Sequence, residues 1–553
     1  MCTPLLALLA LAAQNDGGYS FVGQPDSMLG GGVGWTEDLN GDGVADLLVG
    51  AYGPNAVSDS SGMVEVRSGA DGSLIRRDYG PDGSHLGKFL VGMPDVDGDG
   101  FGDYAAGVAG WGSLGTAESG LLVYSGATGA EIWRFEGRVT GEELGERMHS
   151  FPDLNGDGVD DLLVSGSNTP DGSGGSLFRG GEMLILSGVD GSILREQIGG
   201  VWAENFATAI GLAGDLNLDG YEDYIAGSYN KGPWGTVEVF SGADGSLLWS
   251  IQGSVNTGDI GQFVTSTGDV NGDGLPDIVT SMSFYGNGLQ CYSGADGSPL
   301  WTEPIERPAV RVSYNISVHR VGDYNQDGIS EIGGTIGYIG DPQFLRLVDG
   351  SNGETLEILG MRRVSGMPDS FAEDFTGLPD INGDGLDDLL IGRRDFAVRP
   401  IIFPTGYVYN EDGEAFVQYM RPFLTSSASE LSASGGANVV MDIDFPASEA
   451  GRPYTMLMSF AGRYDAILGG NRKYAPMERD LLFDRMESGY IPSLGNGFQG
   501  TLDANGDATT QMLQGSYLSG FVGRRLRCAA VSHNGFPLDP GLISNAVVLD
   551  ITP

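Results

Sequence analysis

Short apolar runs alternate with clusters of Gly, Asp, Asn and Ser along most of this chain, and no stretch carries the 3.6-residue period of a long helix. The runs fall into a repeating unit. An apolar-polar stretch such as Gly87-Lys88-Phe89-Leu90-Val91 leads into an acidic loop, and a short apolar run such as Asp46-Leu47-Leu48-Val49-Gly50 follows it. Next comes a run ending in Ser-Gly, such as Leu121-Leu122-Val123-Tyr124-Ser125-Gly126. A turn then leads to a final run such as Ala130-Glu131-Ile132-Trp133-Arg134-Phe135. Each unit therefore predicts four short strands. The third and fourth are joined by Ala70-Asp71-Gly72, Ala127-Thr128-Gly129, Val189-Asp190-Gly191, Ala243-Asp244-Gly245 or Ala295-Asp296-Gly297, tight turns that need positive φ near the Gly.

The unit occurs seven times, with acidic loops beginning at Asp38, Asp95, Asp153, Asp215, Asp269, Asp323 and Asp380. Four antiparallel strands at this period predict the blade of a β-propeller, since β-solenoid coils are much shorter. The expected fold is all-β: a seven-bladed β-propeller over residues 19–420 with a calcium loop in each blade, followed by a small β-sandwich domain at 421–553. Two segments compete to complete blade seven. Tyr19–Gly23 matches the fourth-strand stretch Trp249–Gly253, yet Gly406–Val417 also reads as third strand, turn and fourth strand, so either Tyr19–Gly23 or Glu414–Met420 is the outer strand. After Met420 the acidic loops stop. Runs at Ala437–Asp444, Tyr454–Phe460, Ala529–Ser532 and Ala546–Ile551, separated by turn residues, predict the sandwich.

The loops follow D-x-[DN]-x-D-G-x-x-[DE]. In the first, Asp38, Asn40 and Asp42 stand at positions one, three and five, Gly43 at six, Val44 at seven and Asp46 at nine. A tightly curled chain turns these alternate oxygens toward one point, and Val44 can add its backbone carbonyl. Hard oxygen ligands without Cys or His select Ca²⁺ over zinc, and the looser shell disfavours Mg²⁺. The same positions are Asp95, Asp97, Asp99, Phe101 and Asp103 in the second loop, and Asp153, Asn155, Asp157, Val159 and Asp161 in the third. They are Asp215, Asn217, Asp219, Tyr221 and Asp223 in the fourth, and Asp269, Asn271, Asp273, Leu275 and Asp277 in the fifth. The sixth has Asp323, Asn325, Asp327, Ile329 and Glu331, and the seventh Asp380, Asn382, Asp384, Leu386 and Asp388. A single match of this kind is often a metal-free Asx-turn. Seven in register, each concentrating like charges, argue for up to seven structural calcium ions. No helices flank the loops and position twelve lacks the EF-hand Glu. Leu218 at position four, and Gln326 with Glu331, mark the fourth and sixth loops as weaker sites. Asp503-Ala504-Asn505-Gly506-Asp507 lacks Gly at six and an acid at nine, and reads as a turn.

Composition narrows the partners. Asp and Glu number 74 against 29 Lys and Arg, for a formal charge of −45. Such a polyanion repels nucleic acid and anionic membrane and suits divalent cations. Met1–Ala13 reads as a signal peptide, with apolar Leu5–Ala13 and an Ala10-Leu11-Ala12 cleavage pattern, although a basic n-region is missing. No later run predicts membrane insertion. Cys2 would leave with the leader; Cys291 and Cys528, far apart, are expected as buried thiols. Four histidines are present, of which His149 and His319 each stand four residues before a loop's first Asp and are candidates to face a central channel. No nucleophile motif or zinc spacing accompanies them, so no catalytic residue is assigned.

The loops, with phrases such as Gly261-Gln262-Phe263-Val264 ahead of Gly268-Asp269-Val270-Asn271-Gly272-Asp273-Gly274, resemble the FG-GAP repeat family found in integrin α-subunit propellers and many secreted bacterial proteins. The resemblance covers roughly residues 19–420. It implies calcium at loop positions one, three, five, seven and nine, and a secreted or cell-surface module for binding, adhesion or scaffolding. The implied partner is a protein or glycan ligand of unknown identity, with no nucleic acid; oligomeric state is open. Integrin propellers usually fill only some blades with such loops, and no inserted ligand-binding domain is present here. The competing expectation is a propeller-based hydrolase or lyase acting on polysaccharide or ester. Phrases such as Ser241–Trp249 also resemble quinoprotein dehydrogenase blades, but the turn is generic hairpin chemistry.

Overall fold

The computed structural model of the chain describes residues 18–553 apart from, chiefly, 54–60, 109–118, 139–141, 171–175, 284–287, 305–316, 337–343, 361–371, 394–400, 409–412, 446–449, 460–465, 469–472, 476–494 and 534–539, with a scatter of gaps of one to three residues. The expected leader Met1–Ala13, Cys2, Gln326 and the turn at 409–412 lie outside the described residues.

Seven four-stranded antiparallel sheets account for the repeats, matching a seven-bladed β-propeller. Blade one contains Leu29–Thr36, Asp46–Ala51, Met63–Arg67 and Leu74–Tyr79; blade two contains Leu90–Met93, Asp103–Val108, Gly120–Tyr124 and Glu131–Glu136. Blade three contains Leu144–Phe151, Asp161–Gly166, Glu182–Leu186 and Ile193–Ile198; blade four contains Ala209–Gly214, Asp223–Ser228, Thr236–Phe240 and Leu247–Gln252. Blade five contains Asp259–Ser266, Ile278–Ser283, Gly288–Tyr292 and Pro299–Pro304; blade six contains Val318–Arg320, Ile332–Ile336, Phe344–Val348 and Thr355–Gly360. Blade seven contains Phe375–Leu378, Asp388–Arg393, Glu414–Gln418 and, from the other end of the chain, Ser20–Val22.

That last sheet resolves the two competing segments. Glu414–Gln418 is the third strand and not the outer one, and Ser20–Val22 pairs with it as the fourth, Phe21 opposite Ala415. Gly406–Val408, read from sequence as a third strand, pairs instead with Ile401–Phe403 in a separate hairpin. A strand borrowed from the far end of the chain covers an edge that would otherwise be open to foreign strands. Each sheet remains open; neighbouring first strands touch in ring order, and the first strand of blade one touches blade seven.

The burial pattern follows from that stacking. The second strand of a blade is buried on both faces, as in Asp46–Ala51, whereas fourth strands such as Ile193–Ile198 alternate toward solvent. The apolar core is divided among the blade junctions. One cluster joins Leu48, Val64 and Val66 of blade one to Tyr104, Ala106 and Leu122 of blade two. Another joins Leu378, Leu390 and Ala415 of blade seven to Leu29, Val33 and Val49 of blade one. A blade cannot bury its own faces and depends on both neighbours.

Polar contacts cross the same junctions. Trp133 Nε1 donates to Gly188 O at 2.6 Å, Trp249 Nε1 to Gly294 O at 2.8 Å and Trp301 Nε1 to Gly350 O at 2.9 Å. In each case a fourth-strand side chain reaches the end of the third strand in the next blade. Arg76 does the same toward Gly126 O and Arg195 toward Ala243 O. Tyr19, beside the borrowed strand, donates its hydroxyl to Gly69 O at 2.5 Å, so the contact continues from blade seven to blade one.

Beyond the propeller, Leu424–Ser426, Val439–Asp444, Asp507–Met512 and Gly495–Asn496 form one sheet. A larger sheet holds Glu430–Ser432, Val547–Thr552, Arg525–His533, Pro453–Ser459 and Gln499–Thr501, with Pro540–Ile543 beside Arg525–His533. Met441 and Met512 of the first sheet share one buried cluster with Met456, Met458, Leu526 and Cys528 of the second. Cys291 and Cys528 are buried and free. No helix among the described residues is long and apolar enough to cross a membrane.

Replacing Tyr19 by Phe removes one hydrogen bond between blades seven and one. Urea denaturation should show a loss of about 1 kcal/mol, and Trp133→Phe a similar one; unchanged midpoints in both would mean that these contacts do not hold the junctions.

Candidate calcium loops

Each acidic loop joins the first strand of a blade to the second, and its conformation is written by its own oxygens. In the first loop Asp38 Oδ1 accepts from the N–H groups of Gly41 at 2.7 Å and of Asn40 and Asp42 at 3.2 Å, and Asp38 Oδ2 accepts from Gly43 N at 2.7 Å. Asn40 Oδ1 accepts from Asp42 N and Asp42 Oδ1 from Val44 N, both at 2.9 Å. Positions one, three and five thus each turn a side-chain oxygen inward over the curl. Gly43 at position six has φ of 89°, a left-handed conformation costly for any residue with a Cβ. The bond from position six to position one recurs in every loop: Gly100 to Asp95, Gly158 to Asp153, Gly220 to Asp215, Gly274 to Asp269, Gly328 to Asp323 and Gly385 to Asp380, all at 2.7–2.8 Å.

Position nine behaves differently from the exposed acids. Asp46, Asp103, Asp161, Asp223, Asp277, Glu331 and Asp388 are all fully buried. One oxygen of Asp46 accepts from Leu39 N at 2.8 Å, at the start of its loop; the other accepts from Gly69 N at 3.1 Å, at the end of the third strand. The same two bonds reach Asp103 from Val96 and Gly126, Asp161 from Leu154 and Gly188, Asp223 from Leu216 and Gly242, and Asp277 from Val270 and Gly294. In blade seven Ile381 and Met420 supply them to Asp388. The ninth carboxylate therefore ties the loop to the hairpin of its own blade.

The hairpin answers with a second contact. Ser68 Oγ donates to Asp42 Oδ2 at 2.9 Å, and Ser125, Ser187 and Ser241 reach Asp99, Asp157 and Asp219 at 3.2, 3.4 and 3.2 Å. The Ser-Gly phrase that ends the third strands is thereby part of the site. Its Gly is required by space: a Cβ at Gly126 would fall far inside contact distance of Gly102 O, the carbonyl at loop position eight. These serines and glycines were visible in the sequence as a recurring phrase; nothing in their spacing connected them to the loop, because the contact is made across the sheet.

Electrostatics separates the positions. Backbone donors, foremost Gly158 N–H, hold Asp153 below the usual carboxylate range. Burial pushes Asp46, Asp103 and Asp161 up to about 6, Asp388 to about 7 and Glu331 to about 9. Burial disfavours the charged form, and in the first loop the like charges of Asp42 and Asp38 add to that cost at Asp46. In two loops the acids also converge: ligand oxygens of Asp38, Asp42 and Asp46, and of Asp95, Asp97 and Asp99, lie within 4.8 Å of one another. That spacing and an all-oxygen donor set fit a calcium coordination shell.

The two loops expected to be weaker differ in identifiable ways. Leu218 occupies position four at φ of 60°, where the first loop has Gly41 at 81°. Glu331, one methylene longer than Asp, takes the bond from Tyr324 N, while its Oε1 has no hydrogen-bond partner among the described residues. Asp503–Asp507 connects Gln499–Thr501 to Asp507–Met512, with Asp507 N donating to Asp503 Oδ1 at 3.0 Å.

The candidate channel histidines are held by hydrogen bonds to neutral groups. His149 Nε2 lies 3.1 Å from Ile210 O, and His319 Nε2 lies 2.9 Å from Ser317 Oγ. Burial lowers both pKa values, that of His319 to about 3, so neither carries charge at neutral pH. Neither imidazole is hydrogen-bonded to a carboxylate among the described residues.

The structure thus defines a propeller whose every blade carries an acidic loop, and among the described residues the ninth carboxylate staples that loop to the end of its own third strand in every blade but the sixth. Comparison with known proteins gives the repeat its kind. A model of the FG-GAP-like repeat matches residues 215–280, which span the whole of the fourth and fifth loops. Integrin alpha-PS2 of Drosophila melanogaster is 33% identical over 171 residues, 29% of this chain and 12% of that protein. Integrin alpha pat-2 of Caenorhabditis elegans is 27% identical over 266 residues, 43% of this chain and 20% of that protein. Integrin alpha-V of Gallus gallus is 27% identical over 219 residues, 34% of this chain and 21% of that protein. These matches support an FG-GAP, integrin-alpha-like family for the repeat region, and they span about a fifth or less of each relative's length.

Two measurements test the loop geometry. Gly126→Ala should destabilise the protein by about 2 kcal/mol or more, because Gly102 O cannot withdraw without breaking the loop; a neutral effect by urea denaturation would refute the close approach. In protein stripped of metal, the raised ninth-position carboxylates bind protons more tightly folded than unfolded. Their contribution is present below the unfolded carboxylate pKa of about 3.9 and is lost as pH rises through about 6 to 7. The melting temperature of chelated protein should therefore rise as pH falls from about 7.5 to about 5.5, and a flat profile would contradict the burial of these acids.

Proposed function

We propose that this protein is a secreted, calcium-stabilised β-propeller that serves as a binding, adhesion or scaffold module. The buried acid at position nine of all seven loops carries the reading. Each such carboxylate is desolvated beside two or three further loop oxygens, and a divalent cation is the charge that makes this arrangement favourable. Asp38, Asn40, Asp42 and Asp46, with Val44 contributing its backbone carbonyl, would hold the ion in blade one, and the corresponding residues would do so in the other blades. The ion would neutralise part of the −45 formal charge and fix the loop against the hairpin.

A calcium ion in every blade belongs to the scaffold, which leaves ligand recognition to the other surfaces of the ring. The likeness to integrin alpha subunits supports a binding or adhesive role at a cell surface or outside the cell. The partner we propose is a protein or glycan, held on a propeller face or at the central channel.

Chelation with EDTA should lower the melting temperature by several degrees, calcium should restore it, and magnesium should restore less, since a ligand bound only by the folded state stabilises it. Elemental analysis of dialysed protein should find close to seven calcium ions, fewer if the fourth and sixth loops are weak. No melting shift together with a count near zero would overturn the calcium reading. Adhesion or ligand capture that persists in EDTA at temperatures where the stripped protein stays folded would place calcium in the scaffold and outside the binding surface.

A further inference from the structure

The seven first strands run to their loops in one register. Six residues before the first Asp of each loop stand Gly32, Phe89, Arg147, Ala209, Phe263, Ser317 and Asp374. In each blade this position precedes the loop by most of a strand, so the layer lies toward the mouth opposite the calcium loops. Arg147 is the cation of this layer.

Its side chain extends across the channel. The guanidinium lies 5.1 Å from the ring centroid of Phe89 in blade two and 5.8 Å from that of Phe263 in blade five. Its charge is felt by His149 of its own blade, by His319 of blade six and by Asp374 of blade seven. A blade-three side chain that lies against rings of both blade two and blade five reaches inward, toward the axis. Two aromatic rings flank it, an arrangement that holds a guanidinium in place while its N–H edges remain open.

Those edges are little used. Arg147 Nη1 donates to Glu146 O, the carbonyl of its own neighbour, at 2.8 Å. Among the described residues no carboxylate stands within ion-pairing distance of it. Glu146, adjacent in sequence, accepts from the Ser167 hydroxyl, and Asp374 Oδ2 accepts from Val33 N at 2.9 Å. The imidazoles below are neutral. In a chain with 74 acidic residues, no carboxylate among the described ones pairs with this guanidinium.

We propose that the channel mouth around Arg147 binds a carboxylate that carries an apolar body. The guanidinium would grip the two carboxylate oxygens as a planar fork, and Phe89 and Phe263 would pack against the apolar part. The terminal carboxylate of a peptide and a small organic acid share this chemistry. The proposal rests on the reading of the propeller as a binding module and names what one of its surfaces takes.

The test uses the full chain loaded with calcium and isothermal titration with three probes: N-acetylphenylalanine, its amide, and benzoate. N-acetylphenylalanine should bind, and the amide should bind on the order of tenfold more weakly or worse, because it cannot accept the fork. Benzoate binding as tightly as N-acetylphenylalanine would identify small organic acids as ligands; a clear preference for N-acetylphenylalanine would identify peptide termini. Arg147→Gln should lose on the order of tenfold in affinity for the acid, and Arg147→Lys should fall between, as a point charge without the fork. The calcium-dependent melting of each variant checks its fold, and the comparison of acid with amide on the unaltered protein needs no variant. Equal binding of acid and amide, no binding of either acid, or full affinity in a folded Arg147→Gln protein would overturn the proposal. Each of these leaves the calcium response intact, so failure here is distinct from failure of the calcium reading.

Discussion

The tie between a buried carboxylate and two backbone N–H groups is the contact on which six of the seven blades depend. Asp46 shows its form: one oxygen takes Leu39 N and the other Gly69 N. The first sets the start of the acidic loop, and the second pins that loop to the far end of the same sheet. Remove the carboxylate and two buried donors lose their partner, a cost of roughly 1–3 kcal/mol for each group. The same residue closes the oxygen cluster. The fold and the proposed ion site therefore share an atom pair, and neither can be altered alone.

A second constraint follows from packing. Blades bury their faces only against neighbours, so junctions, and not blades, hold the apolar core. The cluster between blades seven and one contains Phe21 and Leu29 from the beginning of the chain together with Leu390 and Val417 from the end of the repeats. Side chains on fourth strands then reach the carbonyls that the loops have positioned. Trp249 meets Gly294 O, and Gly294 N is already bound to Asp277. That junction thus reads out the order of the loop in the following blade, which couples the proposed ion site to the packing of two blades.

Much of this was legible in the sequence. The period, the strand count per unit, the hairpin turns and the acidic loop positions are local patterns, and local patterns are what a linear reading resolves. The contacts that escaped are those across a sheet or between ends. Ser68 and Asp42 are 26 residues apart and meet only when first and third strands lie in one sheet. The role of Glu414–Gln418 was ambiguous because third and fourth strands share composition, and only the pairing of Phe21 with Ala415 distinguishes them. Arg147 went unremarked because its position in other blades is filled by residues as different as Gly32, Phe263 and Asp374; a site assembled from unlike residues leaves no repeat to detect.

The borrowed outer strand also bears on how the chain acquires its structure. Ser20 pairs with Phe416, so the strand made earliest must wait for nearly the whole repeat region to be synthesised. Until then blade seven lacks an edge, and the cluster shared by the ends has no second half. Bringing such distant segments together carries a loop-closure cost that local hairpin formation does not repay, which predicts late, slow completion of the ring. Individual hairpins and their loops can form early, but the toroid becomes one cooperative body only when its two termini meet.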